Sequence, residues 1–350
     1  MNNRQSLTIS KDFRLDKLRA ISCIMVVIIH VANYYGRAFH EITPISYLAV
    51  VISNAICRVS VPIFFMISGM LLLKRPVDLK KNAKRILEKF IYSAVAVIVV
   101  MLWDIFYMKV KFKNFIGLLG TPERSLLCFL YAIIGLYIAL PFIRRMVENM
   151  TAKEDLLFVV LWFVFNGVVH LLKYRFKIEV SYPVPIINGT YYLGYFVMGH
   201  LIAKHNEKIK GWLTRTWVKL LAIAFGIASC LATITLSYLK ALESDKFFYY
   251  FFGYKSLFII ISSVIFFVLF YNFAKNKENK IISSISKHSF EIYLFHAIVL
   301  DFVMTNVNFV SMNSFLGIPL YSVVVFIGTY LPIALIKGLI GFLGKKKKSA

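Results

Sequence analysis

Ten apolar runs, at about 16–36, 46–73, 88–108, 125–143, 156–172, 188–203, 216–238, 247–273, 288–306 and 315–342, divide the 350 residues. Each approaches the ~20 residues a helix needs to cross a bilayer, the fifth and sixth being short. One soluble core could not bury so many, and 59% of the chain is apolar and 16% aromatic, well above soluble usage. Backbone groups in hydrocarbon must bond within their own segment, and the helix is the element that does so. The pattern predicts an all-α polytopic membrane protein with about ten transmembrane helices, forming a single integral-membrane domain over 1–350.

Ten crossings put both ends of the chain on one side. The net charge of +24 decides which side, because 29 of the 41 Lys and Arg fall at the termini and in the even-numbered loops, against 10 in the odd-numbered loops. That is the positive-inside bias of a chain with both termini cytoplasmic, and it accounts for the charge without nucleic acid. The polar residues 1–14 form a cytoplasmic lead with no small-residue cleavage site, and 343–350 a basic tail suited to anionic lipid. Cys23, Cys57, Cys128 and Cys230 each lie in an apolar run without paired spacing, so they read as buried thiols with no metal site. Tyr182, Pro183 and Pro185 predict a structured outer turn.

Two spans carry charge where lipid disfavours it. Arg19 and His30 are eleven residues apart in the first run, about 16 Å along a helix and about three turns, so they share a face. Arg58 falls near the middle of the second run. An imidazole there can act as a general base, and a neighbouring guanidinium can stabilise a developing oxyanion. The plainer alternative is a His on a helix carbonyl and an Arg in a structural ion pair. Asp16, three residues before Arg19, is placed to orient it. The seven basic residues of 74–89 read either as topology with lipid headgroups or as a cradle for a phosphate-rich ligand such as coenzyme A. No Gly-rich phosphate loop is present, which argues against nucleotide hydrolysis.

The remaining polar residues of the spans have plainer readings. His296 and Glu291 lie on one helix but about 140° apart. His170, Asn166, His200, Asp104 and Asp301 read as interhelical hydrogen-bonding groups. Lys255, eight residues into its run, is placed to snorkel outward. Ser68-Gly69 reads as a small-residue helix contact. The aromatic segments 191–196 and 247–254 fit an interfacial belt or a surface on which a sugar or polyprenyl chain stacks.

Taken together, LDKLRAISCIMVVIIH at 15–30, RVSVPIFFMISGMLL at 58–72, YYLGYFVMGHLI and HSFEIYLFHAIV resemble the signatures of the membrane-bound acyltransferase-3 family, over essentially the whole chain. The resemblance implies an O-acetyltransferase of the bacterial cytoplasmic (inner) membrane. It would move acetyl from cytoplasmic acetyl-CoA to a hydroxyl of a cell-surface glycan or a polyprenyl-linked sugar. It carries the family's first-helix Arg and His onto Arg19 and His30, and the second-helix Arg onto Arg58. The family's Arg-x-x-Arg at the third helix is here Asn82-Ala83-Lys84-Arg85, which leaves Lys81, Lys84 and Arg85 for the donor's phosphates. His-Leu-Trp entering the fourth span is replaced by Leu126-Leu127-Cys128. Tyr34, Tyr293 and His296 become candidates for acceptor contacts. Two other classes fit the same polar stripe: a transporter or exporter of lipid-linked sugar without acyl transfer, and a membrane sensor, against which the lack of a soluble domain counts.

Overall fold

The structure is a computed structural model that describes residues 11–109, 128–177 and 191–346. The first ten residues, Leu126-Leu127, the turn around Tyr182 and Pro183 and the last four residues lie outside that set. Regular structure among the described residues is helical throughout. Helix α1 (Phe13–Arg37) starts on Asp12, whose carboxylate accepts the Arg14 N–H. Thr43 and then Pro44 open α2 (Pro44–Cys57), and α3 (Ser60–Leu72) follows directly. Asp78 caps α4 (Leu79–Phe106), and α5 (Cys128–Glu148) comes next. A Thr151–Glu154 capping box starts α6 (Ala152–Phe163), which one π-helical turn (Val164–Val168) joins to α7 (Val169–Phe176). The chain continues through α8 (Tyr191–Lys204), the short α9 (Asn206–Leu213) and α10 (Thr216–Ser244). It ends with α11 (Leu257–Phe273), α12 (Lys280–Asn306) and α13 (Ser314–Lys346).

All ten expected runs are therefore helical, with local departures. The second is divided at Arg58-Val59, because Pro62 has no N–H to offer the Arg58 carbonyl one turn back. Both junction residues keep right-handed helical angles, so Pro44–Leu72 continues in one direction. Lys255 is not inside its helix: Ser256 caps α11, and the ammonium lies in the connection, 5.1 Å from the Tyr191 ring. Cys23 and Cys57 are buried as expected, whereas Cys230 is only half-buried.

Seven segments among the described residues are long and apolar enough to cross a membrane. Six of them bury only 11–33% of their apolar window, so their side chains face outward as lipid-facing helices require. Pro44–Leu72, at 78% buried, is the exception. It packs with α1 and α8, which do not count among the seven, and α12, which does not either, packs along α1. The more polar helices thus occupy the centre, and the wholly apolar ones surround them, because a polar group facing acyl chains is costly.

Close approach at the centre depends on small residues. A methyl on Gly69 would lie 1.7 Å from the Phe196 carbonyl oxygen, and one on Gly199 would lie 1.9 Å from the Met66 carbonyl oxygen. Each glycine of the α3–α8 pair therefore admits the other helix's backbone, a packing mode membrane helices favour. Ser68 donates to the Phe64 carbonyl at 2.8 Å within its own helix, which agrees with reading Ser68-Gly69 as a contact and not a nucleophile.

Candidate functional site

Helices α1 and α12 run parallel and meet along a seam of polar pairs. At one end the Ser286 hydroxyl donates to Asp16 at 2.8 Å, and Arg19 donates to Ser286 at 3.2 Å. Arg19 also lies 3.5 Å from Asp16, the i,i+3 pairing expected from spacing. One turn deeper, the Cys23 thiol faces the Ser289 carbonyl at 3.8 Å. Deeper still, the His30 and His296 rings face each other with centroids 5.2 Å apart. Beyond them Tyr34 donates to Asp301, and Arg37 stacks over the Tyr34 ring at 5.5 Å. The order 16, 23, 30, 34 on α1 matches 286, 289, 296, 301 on α12, so Arg19 and His30 do share one face.

His30 is packed within the bundle yet keeps some accessible surface, as a side chain lining an internal space does. His296 is completely buried. Its Nδ1 lies 2.7 Å from the Tyr293 carbonyl and 3.1 Å from that of Ile292. A carbonyl only accepts, so Nδ1 carries the proton and Nε2 keeps its lone pair. That Nε2 has no hydrogen-bond partner among the described residues. Tyr293 contacts the His296 ring at 5.9 Å and Phe129 at 4.9 Å. Glu291, on another face of α12, pairs with Lys337 instead.

Arg58, 3% exposed, comes within electrostatic reach of His30, but no hydrogen bond joins the two. Its guanidinium bonds Asn54 at 3.1 Å and lies over Tyr249 at 4.5 Å, with Phe252 and Tyr254 at 5.7 and 5.8 Å. Among the described residues no carboxylate forms an ion pair with it, and its Nε is unbonded. Aromatic faces offset part of the cost of burying the charge. A buried cation without an anion is a site prepared for negative charge. Among the described residues Arg58 thus has aromatic and amide neighbours in place of an ion pair, and segment 247–254 forms this cage as well as any belt.

The Asp16–Arg19 end of the seam opens into a cavity of about 470 Å³. Lys11, Arg19, Lys280 and Lys287 supply its positive charge against Asp16 and Glu278. Ser283, Ser284, Ser286 and His288 add hydrogen-bonding groups. Lys81, Lys84 and Arg85 do not line it. They are exposed on the first turns of α4, where Lys81 pairs with Asp78 at 3.5 Å. Arg85 still belongs to the same end, since Tyr137 lies within electrostatic reach of both Arg85 and Arg19. Along the seam toward the histidines, Cys23, Val26, Val27, Phe64, Ile292, Tyr293 and His296 close on a constriction too tight for water.

Sequence spacing finds Asp16, Arg19 and His30, which share one helix. It does not find Ser286, Lys280, Lys287 or Tyr254, whose neighbours in space are far away in the chain, nor Asn54, one turn before Arg58. The described residues hold no cluster of three or more His, Cys, Asp or Glu that could bind a metal. A family model described as an acyltransferase domain, acyltransferase-3, matches residues 12–336. No curated protein and no solved structure matches the chain.

Proposed function

Because the chain belongs to the acyltransferase-3 family and is a multi-pass membrane acyltransferase, we propose that it moves acetyl from cytoplasmic acetyl-CoA to a hydroxyl of a surface glycan or its polyprenyl-linked precursor. The observation that carries this reading is the α1–α12 seam, with a basic cavity of about 470 Å³ at one end and His30 at depth. A nucleotide-like donor needs cations and hydroxyls for its phosphates, and Lys11, Arg19, Lys280, Lys287 and the three serines supply them. Lys81, Lys84 and Arg85 extend the positive field outward and draw in the anionic donor. The aliphatic arm of the donor then has to part the constriction at Val26, Val27 and Phe64, whose apolar lining suits it. His30 acts on the acceptor hydroxyl, as a base or as a transient carrier of the acetyl group, and Arg58 balances the oxyanion. Tyr34 and Tyr293 flank the histidines and contact the acceptor.

In this reading ten helices cross the bacterial inner membrane with both termini cytoplasmic. Alternating crossings require odd-numbered spans to run parallel, as α1 and α12 do. They also require consecutive spans to oppose each other, as α10 and α11 do, with Lys219 over Phe273 and Gly226 against Ile265. Within the family RVSVPIFFMISG and HSFEIYLFHA resemble the enterobacterial common antigen O-acetyltransferase type. The acceptor is not carried over with that likeness, since Leu126-Leu127-Cys128 replaces the His-Leu-Trp of many family members.

The test is free-thiol release from acetyl-CoA by purified protein, with water as the slow acceptor, and labelled acetate transfer in glycan-bearing membranes. His30→Ala is expected to lower both by about 10²-fold or more while the protein still inserts. Wild-type protein that neither binds nor cleaves acetyl-CoA would instead favour the transporter.

A further inference from the structure

We infer that His296 is the proton acceptor behind His30, so that the site is a two-imidazole relay and His296 acts through its Nε2 lone pair. The inference rests on the acyl-transfer reading and adds to it a residue and a proton path. A buried nitrogen without a partner is uncommon, since polar groups removed from water are nearly always bonded. His296 meets half of that rule. Its Nδ1–H is held by two carbonyls of its own helix, which fixes both the tautomer and the ring. The other half is left open at Nε2 among the described residues, with the ring completely buried. A residue kept only for packing has no need of that open nitrogen, and an apolar side chain would cost less there.

What the nitrogen faces gives it a use. The His30 ring is its neighbour across the seam at 5.2 Å between centroids. At that spacing the nearest nitrogens can come within about 3 Å by a small rotation, which is hydrogen-bond range. A base that takes a hydroxyl proton at depth needs somewhere to send its second proton. The step balances as follows. The acceptor O–H bond breaks, and its proton bonds the free nitrogen of His30. The proton on the other His30 nitrogen passes to His296 Nε2, while the oxygen attacks the thioester carbonyl. When the C–S bond breaks, the thiolate leaves as a thiol on the proton returned by the same route, and both imidazoles end neutral. The imidazolium that His296 becomes is balanced within its own helix by Asp301, which lies within its electrostatic reach.

The test uses the purified full chain in nanodiscs, with acetyl-CoA as probe and thiol release as readout. Glutamine at position 296 can accept a hydrogen bond but cannot take the proton, so His296→Gln separates a relay from a hydrogen-bonding or packing role. The relay predicts a kcat for His296→Gln lower by about 100-fold with KM for acetyl-CoA nearly unchanged. A His296→Gln protein with wild-type kcat overturns the inference and leaves the acyl-transfer reading standing. Wild-type protein without thiol release overturns both. A second measurement needs no variant to fold. Nitrogen-15 spectra of histidine-labelled wild-type protein are expected to show an Nδ1–H tautomer for the ring that stays buried, and an Nε2–H tautomer there overturns the inference independently of activity.

Discussion

At the scale of the residue, Arg58 and Arg19 carry the same charge in different company. Arg19 has Asp16 and Ser286 beside it and borders the cavity. Arg19→Gln is therefore expected to raise KM for acetyl-CoA several-fold, read from initial rates of thiol release, with a smaller effect on kcat. Arg58 is held by Asn54 and ring faces, with no carboxylate paired to it among the described residues. Removing a buried charge that has no counter-ion relieves its desolvation cost. Arg58→Gln should thus lower kcat by about 10²-fold or more while the thermal midpoint rises, seen by pairing kinetics with a melt in the same detergent. A fall in the midpoint together with unchanged turnover would assign Arg58 to structure instead. The Asp16–Arg19–His30 face was legible because one helix sets its geometry. The His30–His296 pairing was not, because 266 residues separate the two and no local period links them.

At the scale of the element, the break in the second span places Arg58. Pro62 removes the N–H that would bond the Arg58 carbonyl, and Arg58 sits at that junction with its guanidinium over Tyr249 and near Tyr254. Proline in a long apolar run is a visible signal, but which groups meet at the junction is not. The α3–α8 crossing is similar: the small pair Ser68-Gly69 is readable, yet its partner is not. Gly199→Val places a side chain against the Met66 carbonyl and should destabilise the crossing by about 1–3 kcal/mol. Gly338→Val, at a position where a methyl would meet no neighbouring atom, should be near neutral. A comparison of the two by thermal melt in detergent checks the expectation, and equal midpoints would remove the crossing's claim to tight packing.

At the scale of the whole molecule, burial is inverted relative to a soluble protein. The helices richest in apolar residues lie outside, and the polar seam lies within, because lipid and not water is the surrounding solvent. The seam has a basic mouth and, toward the histidines, a constriction. Val26→Trp, placed in that constriction, should abolish thiol release while leaving donor binding at the mouth, measured by equilibrium binding of labelled acetyl-CoA. The orientation is open to direct test as well. Single cysteines at Lys81 and Lys277, on a background without native cysteine, are expected to react with a membrane-impermeant maleimide only from the cytoplasmic side, and a cysteine at Lys246 only from outside. The opposite labelling would reverse the topology and detach the basic cavity from the cytoplasmic donor.

The amino-acid sequence by itself determined the class of fold, since runs of spanning length admit helices and little else in hydrocarbon. It also determined that one helix presents an acid, a guanidinium and an imidazole on a single face, because helical geometry is local. Only the tertiary structure decided which distant groups complete that face: Ser286 at the mouth, His296 opposite His30, and the tyrosines around Arg58. Those meetings depend on how helices far apart in the chain cross and pack, and that depends on glycines and a proline whose partners no single segment specifies.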